Sequence, residues 1–216
     1  MDLRLYVITE GLDAGLAARV EAALRGGATA VQLRAKGAPR AEVAAAAREL
    51  SSMCRRGGAS LVINDDLALA LEVGAAGVHL GPQDVAVAEA RRRSPPGFVI
   101  GGSAGDAARA RALVEQGADY LGVGAIFEAR PSKADASAPR GLEALREIAA
   151  ASAVPVVAIG GVELEVAGSC VEAGASGVAV IRAAWGSGDP MEVEGRVRAL
   201  RAAVDAGLAA RSSRGR

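Results

Sequence analysis

Two hydrophobic periods alternate along this chain. Short runs rich in Val, Ile and Leu, of the kind that strands buried on both faces use, occur at residues 5–9, 30–34, 61–64, 77–80, 98–101, 120–126, 154–159 and 177–181. Between them lie Ala-, Glu- and Arg-rich stretches with apolar residues at helical spacing, at 14–25, 40–56, 67–73, 87–93, 107–116, 142–151, 164–173 and 192–206. Several of these stretches end in glycine before the next strand, at Gly26, Gly57, Gly74, Gly117 and Gly174. Glycine just past a helix end supplies a left-handed cap.

This is strand–helix alternation repeated eight times, in about the length that a minimal barrel uses. An open doubly wound sheet also alternates. It rarely shows eight such regular units, and no GxGxxG follows the first strand here. The pattern predicts a single-domain α/β fold, a (β/α)8 TIM barrel over residues 1–210. The polar, basic end, 211–216, reads as a frayed and disordered tail.

Composition narrows the function. Apolar residues make up 51% of the chain, enough for one core, and aromatics only 2%, so Ala, Val, Leu and Ile must fill it. The 25 basic and 25 acidic side chains give zero net charge, which argues against nucleic-acid and membrane partners. No apolar run approaches the length of a membrane span, and no signal peptide opens the chain. Cys54 and Cys170 fit no metal-binding spacing and read as reduced thiols of a cytoplasmic protein. A homo-oligomer is left open.

Candidate chemistry follows from a geometric rule: a barrel carries its working residues at the C-terminal ends of the strands. After the second strand come Gln32, Arg34 and Lys36 at alternating positions. A guanidinium fork beside an ammonium suits a multiply charged phosphate, although one Arg-x-Lys is more often solvated charge. The third strand switches at Asn64-Asp65-Asp66 from apolar residues to an amide and two carboxylates. Alone, that is a helix N-cap as readily as a site. Asp84, after the fourth strand, lies level with Asp65 on the neighbouring strand. It too can be a simple cap. Two such carboxylates repel unless a cation sits between them, and Mg²⁺, which takes oxygen ligands and keeps waters, suits the pair. Ser103 follows two glycines after the fifth strand. A long polar loop, 128–140, follows the sixth and holds Ser132 and Lys133. Gly160 and Gly161 after the seventh strand, and Ile181 and Arg182 after the eighth, occupy the usual phosphate cradle of these barrels. The one histidine, His79, lies inside the fourth strand. It is expected to pack or hydrogen-bond in the wall, away from the fifth-strand loop, rather than act as acid or base. No Ser-His-Asp or Cys-His set can be built around it.

Over nearly its full length the chain resembles the thiamine-phosphate synthase family. The supporting stretches are 5–9 (LYVIT), 31–36 (VQLRAK), 63–65 (IND), 77–84 (GVHLGPQD), 117–124 (GADYLGVG), 155–161 (PVVAIGG) and 177–181 (GVAVI). The resemblance implies an enzyme, a transferase that joins a hydroxymethylpyrimidine diphosphate to a thiazole phosphate and releases pyrophosphate by a dissociative route. It implies that Gln32, Arg34, Lys36, Asn64, Ser103 and Lys133 hold the pyrimidine diphosphate, with Arg34, Lys36, Lys133 and Ser103 acting in catalysis. Ser132, Gly160, Gly161, Ile181 and Arg182 would hold the thiazole phosphate, and Asp65 and Asp84 the Mg²⁺. Three positions depart from the family. The loop after the sixth strand reads 128–133 (EARPSK) and lacks the family's first Thr, Gly105 replaces a His, and Arg182 replaces a Ser. Two rival readings are a thiazole tautomerase-like isomerase, which needs the His that Gly105 replaces, and a non-catalytic barrel that binds a phosphorylated metabolite.

Overall fold

The computed structural model describes residues 1–128 and 139–214. Eight parallel strands close in sequence order into one barrel: β1 (Leu5–Ile8), β2 (Ala30–Leu33), β3 (Ser60–Asn64), β4 (Gly77–Leu80), β5 (Val99–Ala104), β6 (Tyr120–Val123), β7 (Val156–Ile159) and β8 (Gly177–Val180). The outer layer is α1 (Leu16–Gly26), α2 (Arg40–Arg56), α3 (Leu67–Glu72), α4 (Val87–Arg93), α5 (Ala107–Glu115), α6 (Gly141–Ala151), α7 (Leu164–Glu172), a single turn α8 (Arg182–Trp185) and α9 (Pro190–Arg214). The predicted (β/α)8 barrel is the observed fold.

Strand alternation sorts each strand's residues into two cores. Outward residues such as Val7, Val31, Ile63, Val78, Ile100, Leu121 and Val180 pack under the helices in one large cluster. Inward residues Tyr6, Ile8, Ala30, Val62, Tyr120, Val157 and Ala179 form a smaller cluster inside the barrel. With so few large inward side chains, the two tyrosines fill much of the lumen. They need room, and Gly101 and Gly122 provide it. A Cβ at Gly101 would sit 2.1 Å from the Tyr120 ring, and one at Gly122 would sit 3.0 Å from the His79 ring.

Most boundaries fall within two residues of the expectation, and three larger differences bear on the reading. β5 runs on to Ala104, so Ser103 is an inward strand residue rather than part of the following loop. β6 stops at Val123, and Gly124 just beyond it runs so close to the Ile159 carbonyl that a Cβ there would sit 2.1 Å from it. The frayed tail expected from residue 211 is also corrected, since α9 stays helical through Arg214. The Arg211 guanidinium donates to the carbonyls of Val171 (3.0 Å), in the last turn of α7, and Ala175 (2.7 Å), just past it, and Arg214 pairs with Glu172 at 2.6 Å. Residues 215 and 216 lie outside the described residues.

The lumen packing yields a first prediction. Gly101→Ala drives a methyl into a buried ring and should destabilise the barrel by about 1–3 kcal/mol, as overpacking does. Urea unfolding checks it, and an unchanged midpoint would show that Tyr120 can move aside freely.

Candidate active site

The C-terminal rim of the barrel gathers the residues marked out in the sequence. The segment after β3 divides its polar work among three positions. Asn64 continues the inward alternation from Val62 and pairs in register with His79. Asp66 is the N-cap of α3: its carboxylate accepts from the Leu69 amide at 2.8 Å. Asp65 therefore caps nothing. It adopts φ +65°, a left-handed conformation that Asp tolerates better than most side chains, and its amide donates to the His79 carbonyl at 2.9 Å.

Asp84 does not cap a helix either. α4 begins at Val87 with no side-chain cap at Ala86, and the Asp84 carboxylate accepts instead from the Gly81 amide at 2.6 Å. That turn folds Asp84 back to the rim beside Asp65. Partial burial is the main cause that raises the pKa of Asp84. The neighbouring Asp65 carboxyl, near enough for a hydrogen bond, raises it further, while the Gly81 amide and Lys36 act against the rise. Lys36, carried by the turn after β2, places its ammonium 3.4 Å from Asp65. Two neighbouring carboxylates, with the Lys36 ammonium beside Asp65, form a donor set that fits a divalent cation. No third His, Cys, Asp or Glu joins them among the described residues. Mg²⁺ accepts such a set because water and phosphate oxygens complete its shell.

Gln32 is buried in the lumen, and its side-chain amide donates to the Tyr6 hydroxyl at 2.8 Å. Arg34 sits at the rim with its backbone pinned by Thr9: the Thr9 hydroxyl donates to the Arg34 carbonyl (3.1 Å) and accepts from its amide (2.9 Å). Ser103 on β5 lies 3.0 Å from His79 Nε2, and His79 Nδ1 lies 3.0 Å from the Tyr120 hydroxyl. His79 sits within β4 and hydrogen-bonds in the wall, as expected, but it does not stay away from the β5 side: its ring reaches Ser103 on the neighbouring strand β5 and Tyr120 on β6. Strand assignment fixes the face of a side chain and not its partner.

Across the rim, Gly160 (φ +87°) and Gly161 (φ +66°) follow β7 in conformations that favour glycine. A Cβ at Gly161 would lie 2.7 Å from the Phe127 carbonyl carbon, so this backbone runs directly against the segment after β6. Ile181 and Arg182 open α8, which is anchored where the indole N–H of Trp185 donates to the Ile8 carbonyl at 2.8 Å. Ser132 and Lys133 lie outside the described residues. At the edge of that segment, Arg140 donates from Nε to the Gly124 carbonyl at 3.2 Å. Its guanidinium occupies the space that a side chain at Gly105 would take, 2.7 Å from the position of the absent Cβ. Sequence reasoning passed over Tyr6, Thr9, Tyr120 and Arg140. The two tyrosines had a visible signal, since each stands at an inward strand position in a chain with only two.

A model of the family described as thiamine monophosphate synthase matches residues 5–184. The chain belongs to that family. It is 44% identical over 209 residues to the thiamine-phosphate synthase of Anaeromyxobacter dehalogenans, covering 97% of this chain and 91% of that one. It is 45% identical over 179 residues to the thiamine-phosphate synthase of Moorella thermoacetica, covering 83% and 85%. A solved thiamine phosphate pyrophosphorylase from Pyrococcus furiosus superposes with a TM-score of 0.85 at 36% identity, covering 96% of this chain and 98% of that one. More distant barrels, such as a 3-hexulose-6-phosphate synthase at 18% identity and TM-score 0.68, share the fold.

The Asp65–Asp84 pair predicts a conflict between stability and function. A carboxyl whose pKa is raised in the fold contributes stability at pH below its unfolded value and loses it as pH rises through the folded value. At neutral pH in chelator, Asp84→Asn should therefore be slightly more stable than the parent, by less than about 1 kcal/mol because the site is open to solvent. Below the ordinary carboxylate range the gain should vanish. Urea unfolding at the two pH values checks the sign, and a gain that grows in acid would contradict the pairing.

Proposed function

We propose that this barrel is a thiamine-phosphate synthase. It joins a hydroxymethylpyrimidine diphosphate to a thiazole phosphate, with Asp65 and Asp84 as ligands of Mg²⁺. The observation that carries the reading is the juxtaposition at one rim of the neighbouring Asp65 and Asp84 carboxylates, the Lys36 ammonium and the Arg34 position, opposite the Gly160–Gly161 turn. The family supplies the reaction, and these residues supply its needs.

In that reaction the bond between the pyrimidine methylene and the diphosphate oxygen breaks first. Its electron pair leaves with pyrophosphate. The thiazole nitrogen then donates its lone pair to the methylene cation and forms the new C–N bond. No proton needs to leave the nucleophile, so the site needs charge stabilisation and positioning more than acid–base groups. Bound Mg²⁺ would neutralise charge that develops on the leaving pyrophosphate. Arg34 and Lys36 hold the diphosphate from the β2 side, with Arg34 fixed through its backbone by Thr9. Ser103 offers a hydroxyl from the β5 side. The backbone at Gly160–Gly161 and Ile181–Arg182 holds the thiazole phosphate. Lys133 and Ser132 belong to the segment between and complete the set by family resemblance alone.

Asp65→Asn should cut turnover by about a hundredfold or more, the scale of losing electrostatic stabilisation at a leaving group, with the fold intact by circular dichroism. Product analysis with both substrates and Mg²⁺, against the same mixture in excess chelator, is the decisive assay. Full activity of the variant, or full activity in chelator, would sink the metal assignment.

Gly105 separates this reading from the isomerase. A tautomerase must move protons on the thiazole and so needs a positioned acid–base group. Here the Arg140 guanidinium, which offers donors and no acceptor, fills that space. The expected result is thiamine phosphate formation with no thiazole isomerisation above background. Gly105→His should displace only the flexible end of Arg140 and change synthase rates by less than about tenfold, since one exposed side chain moves. Isomerisation without synthesis in the parent protein would replace this reading with its rival.

A further inference from the structure

Five side chains form a hydrogen-bonded line across the barrel lumen. Gln32 Nε2 donates to the Tyr6 hydroxyl at 2.8 Å, Tyr6 meets the Tyr120 hydroxyl at 3.0 Å, Tyr120 meets His79 Nδ1 at 3.0 Å, and His79 Nε2 meets Ser103 Oγ at 3.0 Å. The line joins β2 to β5 through β1, β6 and β4. Both of its ends are residues placed above in the substrate site, and its three middle members have no part in the chemistry described so far.

We propose that this line is polarised in one direction, from Gln32 to Ser103. It then holds His79 as the tautomer protonated on Nε2 and fixes Ser103 as a hydrogen-bond donor to an anionic ligand oxygen. His79 is in this sense a positioning residue. The proposal deepens the synthase reading and rests on it only for the identity of the ligand.

The direction follows from counting protons. Each tyrosine hydroxyl has one hydrogen to give. Tyr6 and Tyr120 are 2% and 1% exposed, so neither hydroxyl can turn to water. Burial, first of all, raises the pKa of each phenol, so both keep their protons. Tyr6 accepts from the Gln32 amide, and its own hydrogen must find an acceptor. The Tyr120 oxygen is the acceptor in reach, which commits the Tyr120 hydrogen to His79 Nδ1. A nitrogen that accepts carries no proton, so the ring proton resides on Nε2 and is donated to Ser103 Oγ. The Ser103 hydrogen is then spare and can turn to the mouth of the barrel.

With the Gln32 amide placed so that Nε2 faces Tyr6, the reverse direction fails at its far end. There the Tyr6 hydrogen would face the N–H of Gln32 with nothing to accept it, and a buried donor without an acceptor is strongly disfavoured. The ring contacts hold the line in place. Tyr6 packs edge-on to Tyr120 at 6.0 Å, and His79 lies 5.5 Å from the Tyr120 ring. The same polarity leaves the carbonyl oxygen of the Gln32 amide uncommitted by the line. The site would then present an acceptor on the β2 side and a donor on the β5 side.

The chain has one histidine, so its imidazole gives one set of nitrogen signals. The test is a long-range proton–nitrogen correlation spectrum of the full-length, ¹⁵N-labelled protein without ligand. The expected result is an acceptor-type Nδ1 and a protonated Nε2. A ring protonated on Nδ1, or on both nitrogens, would overturn the proposal. Tyr120→Phe keeps the ring but removes the donor to Nδ1. It should move both nitrogen signals toward a mixture of tautomers and lower synthase turnover by about tenfold, as losing a hydrogen bond to a charged group does, with KM for the thiazole phosphate unchanged. Unchanged ring signals in that variant would also overturn it. Tyr6→Phe, which removes the polarising step one place further back, should give a smaller shift in the same direction, and it decides the matter should Tyr120→Phe fail to fold. The spectrum needs no substrate. The expected tautomer in a protein that made no thiamine phosphate would uphold the line and remove only the synthase reading.

Discussion

Closing eight parallel strands into a barrel sends every second residue of each strand into one narrow space, and everything functional here depends on how that space is filled. A lumen of aliphatic side chains would be dry and inert. This one contains two tyrosines, an amide, an imidazole and a hydroxyl, all hydrogen-bonded. No buried side-chain polar atom among the described residues lacks a partner. A polar group in such a place is tolerable only when its partners are complete, so the members hold one another in position. The glycines opposite the rings are part of the same arrangement, since Gly101 and Gly122 leave the volume that Tyr120 and His79 take. The floor beneath the site is thus rigid and polar rather than merely packed.

Above that floor, the rim combines two kinds of support. On the β2–β5 side, charged side chains stand on rigid strand ends and short turns, and several are braced by backbone contacts, as Thr9 braces Arg34 and the Gly81 amide braces Asp84. On the β7–β8 side the support is backbone itself, with two successive left-handed glycines and a turn of helix held down by Trp185. A multiply charged leaving group calls for the first kind of surface, and a single phosphate monoester that must only be held in place calls for the second. On the proposed reading, the division matches what each chemistry demands of a pre-formed site.

The architecture was legible in the sequence because strand runs and helical stretches repeat eight times, with glycine after five of the helical stretches, and tertiary packing had no cause to override so consistent a signal. The rim residues were legible too, since the barrel rule turns strand order into position. The missing part was reach. Ser103 was read as a loop residue because the Gly101-Gly102 pair looks like a turn, yet these glycines continue β5. His79 was read as a wall residue because its strand was correctly placed, but its partners, Ser103 on β5 and Tyr120 on β6, depend on how the next two strands align with it. The tail failed for the opposite reason. Its arginines looked solvated, and the carbonyls at the end of α7 that two of them serve or sit beside are forty residues upstream.

The segment Asn64-Asp65-Asp66 shows how two readings of one motif can both hold. As a helix cap or as a site, the sequence allows only a choice. The structure assigns the cap to Asp66, whose carboxylate takes the Leu69 amide. With the helix satisfied by that residue, the one before it is free of local duty. Asp65 then adopts the only left-handed conformation among the described non-glycine residues, at φ +65°. An unfavoured backbone persists only where its surroundings enforce it, and here the enforcement is visible in the Asp65 amide, held at 2.9 Å by the carbonyl of His79. The strand that carries the imidazole to Ser103 thus also turns the carboxylate toward Lys36 and Asp84. Floor and rim are coupled through one residue, His79, whose backbone serves the carboxylate pair and whose side chain serves Ser103.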